Sequence, residues 1–549
     1  MRKYQQELIL EMLELCKCEQ NKIKNIPSQN FGEIVDCLII CKEYAAQMIE
    51  FIEKMFGEGS KTVVMLEEYC NLIHQMNSEM NINDELLHMQ INKVCSSVLM
   101  ELKPDKIEIA FFPYKVSMAD SLESIYLAAK ADPQCDAYWI PIPYYDRKSD
   151  GSLGQMHYEG TEYSDDLEVT DWRSYDVEMQ HPDIVFIHNP YDKFNLVTTV
   201  HPNYYSGILS KQSDFLVYLD YGLPYWVPLH PASSVKAEDI KLLPFQINCD
   251  LYVTYSHETA ECCRLALLLS EATKNLYNQN LICEKVVPLG SPKFDNIINK
   301  GKENYKLPDN WKTVIANKKV LLYCTSIADI LQNTEKFLNE VATVIRILSL
   351  QNDIVLWWRP HPLTSSTFRS MRLQYQAEYE RIVNDFKCKG WGIFDDTADL
   401  HRSIAWSDAC LTTESSLMFL YLASGKPFSV SSIHKRLANP IVDNGKTFAE
   451  PLKRRLENMR TAKGANVGDW NCCIWWDNFL EEDVLNNIHY ENFLDRFIHF
   501  IVHTDEYPEA EEYKRLQLQM FRDFVVNPDG TAGHKIYEYC KNKTIGANI

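Results

Sequence analysis

Apolar positions over residues 1–103 recur with a helical period. Leu8, Met12 and Leu15 are spaced for one helix face. So are Cys37, Cys41, Tyr44, Met48 and Ile52, then Leu66, Tyr69, Ile73 and Met76, then Leu87, Ile91, Val94, Val98 and Leu102. This predicts a bundle of about four helices. Gly57 to Thr62 has the composition of a phosphate loop but neither its spacing nor a preceding strand, and reads as an inter-helix turn.

The period changes at Pro104. Short apolar runs at 106–113, 137–142, 183–188, 215–219, 251–254 and 286–289 read as strands, with helical stretches such as 118–130 and 257–270 between them. After a segment around 301–318 the alternation restarts. Strands are predicted at 320–323, 354–358, 391–395, 409–412 and 428–430, and helices at 334–350, 368–386 and 417–424. Alternation that occurs twice predicts an α/β fold, a GT-B-like pair of doubly wound Rossmann-like domains behind the helical bundle. The expected boundaries are 1–103 (bundle), 104–300 (acceptor side), 301–476 (donor side) and 477–549 (C-terminal helices packing back). Asp529 to Gly533 is expected to cap the last helix, 531–541.

Composition narrows the function classes. Of 549 residues, 46% are hydrophobic and 24% charged, ordinary for a globular chain. The net charge of −21 argues against a non-specific nucleic-acid binder, which needs a broad basic face. The 17 cysteines are scattered without C-x-x-C spacing, the pattern of buried thiols in a reducing cytosol. No signal peptide and no membrane span are visible. The expected location is cytoplasmic, or peripheral on the inner face of the cell membrane. Segment 426–463 carries nine Lys/Arg against three acids, and reads either as a solvated helix face or as a landing strip for a polyanion or an anionic membrane.

Candidate chemistry sits where strands end. No G-x-G-x-x-G, Walker A, G-x-S-x-G, H-E-x-x-H or D-x-D motif is present, so a metal-independent site without a cofactor is expected. Trp358-Arg359-Pro360-His361-Pro362 places a guanidinium and an imidazole beside helix-breaking prolines. The alternative is that His361 only bonds backbone. Thr412-Thr413-Glu414-Ser415-Ser416 is a hydroxyl-rich turn opening a helix, suited to a diphosphate or simply to capping. Lys426 is expected to return a cation to the same edge. In the first half, His188-Asn189-Pro190-Tyr191-Asp192, His201 and Asp220 follow strands.

Gly290-Ser291-Pro292-Lys293-Phe294-Asp295, Arg359-Pro360-His361-Pro362, Ser407-Asp408, Leu411 to Ser416 and Lys426-Pro427 occur in an order that resembles the CDP-glycerol glycerophosphotransferase family of teichoic-acid polymerases and primases. Pro113-Tyr114-Lys115, Met118 to Ser124 and His188 to Asp192 resemble its long bacterial branch. The resemblance spans roughly 105–430 and more weakly the last helix. It implies a GT-B-like fold and transfer of glycerol phosphate, or a related polyol phosphate, from CDP-glycerol to a hydroxyl, with release of CMP. It matches His361 to a functional histidine of the family, and Thr413, Ser415 and Ser416 to its diphosphate turn. The implied partners are a CDP-activated polyol donor, a lipid-linked or polymeric hydroxyl acceptor and an anionic membrane surface; nucleic acid is not among them.

Two positions depart from the family. Where many members carry W-H-G-T-P-x-K, this chain has Asp220-Tyr221-Gly222-Leu223-Pro224, with Tyr221 in place of the histidine. Tyr323 to Ile327 lacks an arginine that many members place after a strand. The expected catalytic residues are His361 and Asp220, the latter as base, with His188 and His201 as alternatives. The expected substrate-binding residues are Arg359, Thr413, Glu414, Ser415, Ser416, Lys426, Gly290, Pro292, Asp295, Asn189 and Asp192. Two other readings remain: a GT-B glycosyltransferase or sugar epimerase using a UDP-linked donor, and a non-catalytic scaffold of surface-polymer assembly.

Overall fold

The computed structural model describes residues 1–27, 30–57, 59–148, 150–164, 166–195, 197–223, 241–413, 415–430, 490–507 and 510–545. Glu414, Pro224 and the basic segment beyond Val430 lie outside the described residues.

Four helices open the chain: α1 (Lys3–Ile23), α2 (Phe31–Phe56), α3 (Lys61–Glu79) and α4 (Asp84–Glu101). They bury one apolar cluster in which Leu38, Met48, Tyr69 and Ile91 are central. The stripe of α1 differs from the expected one. Ile9, Leu13 and Cys16 point inward, while Leu15 is exposed, because Gln6 and Gln20 are recruited to the same face by hydrogen bonds to the Leu102 carbonyl and the Tyr69 hydroxyl. Ser60, not a phosphate loop, caps α3 through the Val63 amide. The bundle is tied to the first α/β half by an Arg2–Glu108 ion pair of 3.3 Å and by Tyr4 stacked on His181.

The strands are β1 (Ile107–Phe112), β2 (Cys135–Trp139), β3 (Tyr144–Arg147), β4 (Leu153–His157), β5 (Ile184–Ile187), β6 (Thr198–Val200), β7 (Leu216–Leu219), β8 (Leu251–Thr254), β9 (Val286–Pro288), β10 (Lys319–Thr325), β11 (Ile354–Pro360), β12 (Ile393–Phe394), β13 (Ala409–Thr412) and β14 (Phe428–Val430). Six form a parallel sheet in the order β2-β1-β5-β7-β8-β9, and five form a second in the order β12-β11-β10-β13-β14. Each sheet is buried on both faces, as the near-continuous apolar strands require. The predicted α/β architecture, two doubly wound halves behind a helical bundle, is therefore present, and its arrangement is GT-B-like.

Three features depart from the sequence reading. Strands β3, β4 and β6 make a small antiparallel sheet that was not predicted, since their polar residues give it little hydrophobic signal. The single helix expected over 368–386 is two, Thr364–Met371 and Gln376–Lys389, broken at Arg372, whose guanidinium turns back to the Leu331 carbonyl. The last helix, Ala532–Thr544, is not capped by Thr531. Its first amides, Ala532 and Gly533, donate instead to the carboxylate of Asp295 at 3.1 and 2.8 Å. This helix lies on Glu123–Lys130 of the first half, where Tyr537 and Lys541 reach Asp132.

Candidate active site

In a doubly wound sheet the ligand crevice opens at the carboxyl ends of the strands, where the strand order reverses. In the first sheet this point lies between β1 and β5; in the second it lies between β10 and β13. Tyr114 and Lys115 follow β1, His188 and Asn189 follow β5, Thr325 ends β10, and Thr413 follows β13.

Polar atoms are left over at these points. Asn189 Nδ2, Thr325 Oγ1 and Thr413 Oγ1 are buried without a hydrogen-bond partner among the described residues. An unpaired buried donor or acceptor costs about 1–3 kcal/mol unless a ligand or water satisfies it. Three of them on the strands that flank two switch points suit a polar ligand that spans both halves.

His361 belongs to the same edge, one residue beyond β11. Its Nδ1 accepts a hydrogen bond from the Leu363 amide at 3.1 Å. The neutral ring therefore carries its proton on Nε2 and presents a donor, not a base. Burial pushes its pKa down to about 4, with Lys115 and Arg359 adding to the fall. Lys115 thus acts on His361 from the opposite half. Its ammonium is 4.5 Å from the Tyr144 ring centre and has no ion pair among the described residues. Burial lowers its pKa against the opposing pull of Glu159 and Asp146. The sequence motif that contains Lys115 assigns it no role. Its position directly after the first strand of the first sheet was the available signal.

Asp220, just past β7, accepts hydrogen bonds from the Tyr218 and Tyr252 hydroxyls, both at 2.7 Å. Burial raises its pKa to about 6, and the two phenols limit the rise. His188 is differently placed. Nε2 accepts from the Tyr114 amide and Nδ1 contacts the Ser121 hydroxyl at 2.8 Å, so both nitrogens are engaged, and burial holds its pKa at about 3. His201 is half-buried among Tyr145, Trp172 and Tyr204, and its Nδ1 accepts from the Asn203 amide.

Other predicted residues are held by neighbours. Arg359 donates to Asp395 at 2.8 Å and to the Thr397 carbonyl at 2.7 Å, so its fork is engaged inside the second half. Asp192 accepts from the Ser206 amide and hydroxyl. Asp295 binds Ser124 besides the last helix, Pro292 opens the helix Pro292–Asn299, and Gly290 has φ +94° with the Val526 carbonyl against it. Ser416 begins the helix Leu417–Ser424, and Ser415 Oγ lies 3.5 Å from Thr412 Oγ1. The Met418 and Phe419 amides of that turn are already bonded to the Ser415 and Ser416 carbonyls.

Lys426 does not share the edge of His361 and Thr413. It precedes β14, at the opposite end of the parallel sheet, and its ammonium donates to the Ile404, Ala405 and Ser407 carbonyls. The expectation of a cation returning to the same edge fails because parallel strands start and finish on opposite edges.

Sequence reasoning did not assemble one further cluster. Lys293 Nζ lies 2.6 Å from both oxygens of Asp120, and His401 Nε2 lies 2.7 Å from Asp120 Oδ2. No group of metal-ligating side chains occurs among the described residues. No described helix is long and apolar enough to cross a membrane, and every described cysteine is a free thiol.

No family model and no curated protein matches the sequence. Solved structures do. A UDP complex of S. aureus MnaA is similar with a TM-score of 0.43 and 13% identity, over 80% of this chain and 98% of that one. A UDP-N-acetylglucosamine 2-epimerase gives 0.43 and 12%, over 81% and 98%. The wall teichoic acid polymerase TagF gives 0.42 and 13%, over 89% and 99%. With each of these scores below 0.5, the chemistry of this site rests on its own residues.

Proposed function

We propose that this protein is a transferase that moves glycerol phosphate, or a related polyol phosphate, from a CDP-linked donor to a hydroxyl acceptor in the synthesis of a teichoic-acid-like surface polymer. The observation that carries the reading is the trio Asn189 Nδ2, Thr325 Oγ1 and Thr413 Oγ1, unpartnered among the described residues at the two switch points, with His361 and Lys115 beside them. This set offers neutral donors and cationic charge to a diphosphate. The motif order from Gly290 to Lys426 supports CDP as the carrier.

Phosphoryl transfer asks chiefly for alignment and charge neutralisation. The acceptor oxygen bonds to the β-phosphorus while the bond from that phosphorus to the oxygen of CMP breaks. Asp220, ionised above about pH 6, takes the acceptor proton. Nε2–H of His361 donates to the departing phosphate, and Lys115 offsets its charge. Thr413, Ser415 and Ser416 hold the diphosphate through their hydroxyls. Arg359 acts through Asp395, fixing the loop that carries His361.

The test is a binding and turnover screen of CDP-glycerol, CDP-ribitol and UDP-linked sugars. Release of CMP from a CDP-polyol in the presence of a hydroxyl acceptor is the expected result. Turnover of a UDP-sugar alone would replace this reading with that of a glycosyltransferase or epimerase. A protein that binds none of them would be a scaffold.

A further inference from the structure

A cavity lies at the linker between the two halves. Its volume is about 280 Å³; Asn296 and Lys300 line it from the end of the first half, Lys302 and Tyr305 from the linker that follows, and His401 and Lys426 from the second half. Three lysines and a histidine thus border one small space in a chain of net charge −21. Lys300 is paired with Glu123 at 3.0 Å, and Lys426 is bound to backbone carbonyls. Lys302 has no carboxylate partner among the described residues; its ammonium stands 5.6 Å from the Trp406 ring centre. Burial, with Lys302 adding to it and Asp408 opposing, lowers the pKa of Lys426 to about 8.

Two buried polar atoms on residues of this cavity also lack partners among the described residues: Tyr305 Oη and His401 Nδ1. His401 is only 8% exposed, and its Nε2 is already on Asp120. Two buried orphans that border one small cavity, beside the exposed ammonium of Lys302, suit a ligand with both donor and acceptor oxygens. The volume lies at the lower end of the range of roughly 300–1,000 Å³ usual for drug-sized ligands, which favours a small anion.

We propose that this linker cavity is an anion site for a phosphate group, free or carried on a small ester, held by Lys302, Tyr305 and His401. The phosphate oxygens accept from the Lys302 ammonium and the Tyr305 hydroxyl. Asp120 accepts from His401 Nε2–H, which leaves Nδ1 as an acceptor for the P–O–H of a monoprotonated phosphate. The ligand would bridge the linker and the helix Leu400–Trp406. This site stands apart from the strand-end cleft and does not depend on the proposed reaction.

The experiment is calorimetric titration of the full chain with inorganic phosphate at constant ionic strength, repeated with glycerol 3-phosphate and with chloride. The expected result is one saturable phosphate site, no saturation with chloride, and an affinity reduced about tenfold or more in both Lys302→Gln and Tyr305→Phe. Tighter binding of the ester than of inorganic phosphate would assign the site to an ester; equal binding would assign it to free phosphate. Melting temperatures without phosphate check that each variant is folded. Absence of saturation in the parent, or equal phosphate affinity in the parent and a folded variant, would overturn the proposal. If one variant fails to fold, the other decides. If both fail, phosphate titration of Lys302→Arg decides, retained binding supporting the site and complete loss opposing it.

Discussion

Asp120 Oδ2 lies 2.7 Å from His401 Nε2, joining the turn after β1 to the helix after β12 across 281 residues of sequence. Lys293, on the helix Pro292–Asn299, completes the cluster at 2.6 Å. Burial alone would raise the Asp120 carboxyl, but the Lys293 ammonium and the His401 ring outweigh it and hold it well below the usual carboxylate range.

Asp120→Asn is therefore expected to destabilise the fold by about 3–5 kcal/mol, because it leaves Lys293 charged, buried and unpaired. The pH dependence has a defined sign. A depressed folded pKa contributes stability that is complete above the ordinary carboxylate value and is lost as pH falls below it. Urea unfolding should show the largest gap between parent and variant near neutrality, narrowing below about pH 4. A gap that widens on acidification would contradict this account.

Asp220 is predicted to set the acid limb of catalysis. With its pKa at about 6, activity should fall tenfold per pH unit below that value as the base is protonated. Tyr218→Phe or Tyr252→Phe removes a donor to the carboxylate and should shift the limb to higher pH. Asp220→Asn should lower kcat by about 10²–10⁴. A limb unmoved by either phenylalanine would assign the base elsewhere.

Lys115 and His361 should report on each other across the cleft. Removing the ammonium in Lys115→Met should raise the His361 pKa from about 4, read from the imidazole resonances by NMR titration. The same variant should weaken binding of a diphosphate donor. An imidazole that titrates as in the parent would show that the two side chains do not share a cleft.

Ser415 and Ser416 together are expected to contribute about 1–3 kcal/mol to donor binding, the usual worth of hydrogen bonds to a charged group. Donor titration of the folded double alanine variant measures it. Affinity equal to the parent's would remove the turn from the donor site.

Gly290→Ala should act on stability. Its φ of +94° disfavours any side chain, and a Cβ there would stand 2.4 Å from the Val526 carbonyl. A loss of about 1–3 kcal/mol is expected from overpacking alone, measured by thermal unfolding.

The period of apolar residues determined most of the architecture. Four helices, then strands at nearly every predicted run, follow from burial of one helix face or of both sheet faces, and burial is written locally. The strand-end motifs were also legible, since a turn after a parallel strand is where side chains reach a cleft. The sequence could not say which of those side chains remain available. Arg359 meets Asp395, Asp192 meets Ser206, Asp295 meets the helix that begins at Ala532, and Lys426 meets three carbonyls on the far edge. Each partner but Asp192's lies 19 or more positions away in sequence. Strand order placed Asn189, Thr325 and Thr413 at two switch points and brought Lys115 toward His361. Hydrogen-bond satisfaction and charge proximity depend on distances between elements, and those distances exist only once the sheets have assembled.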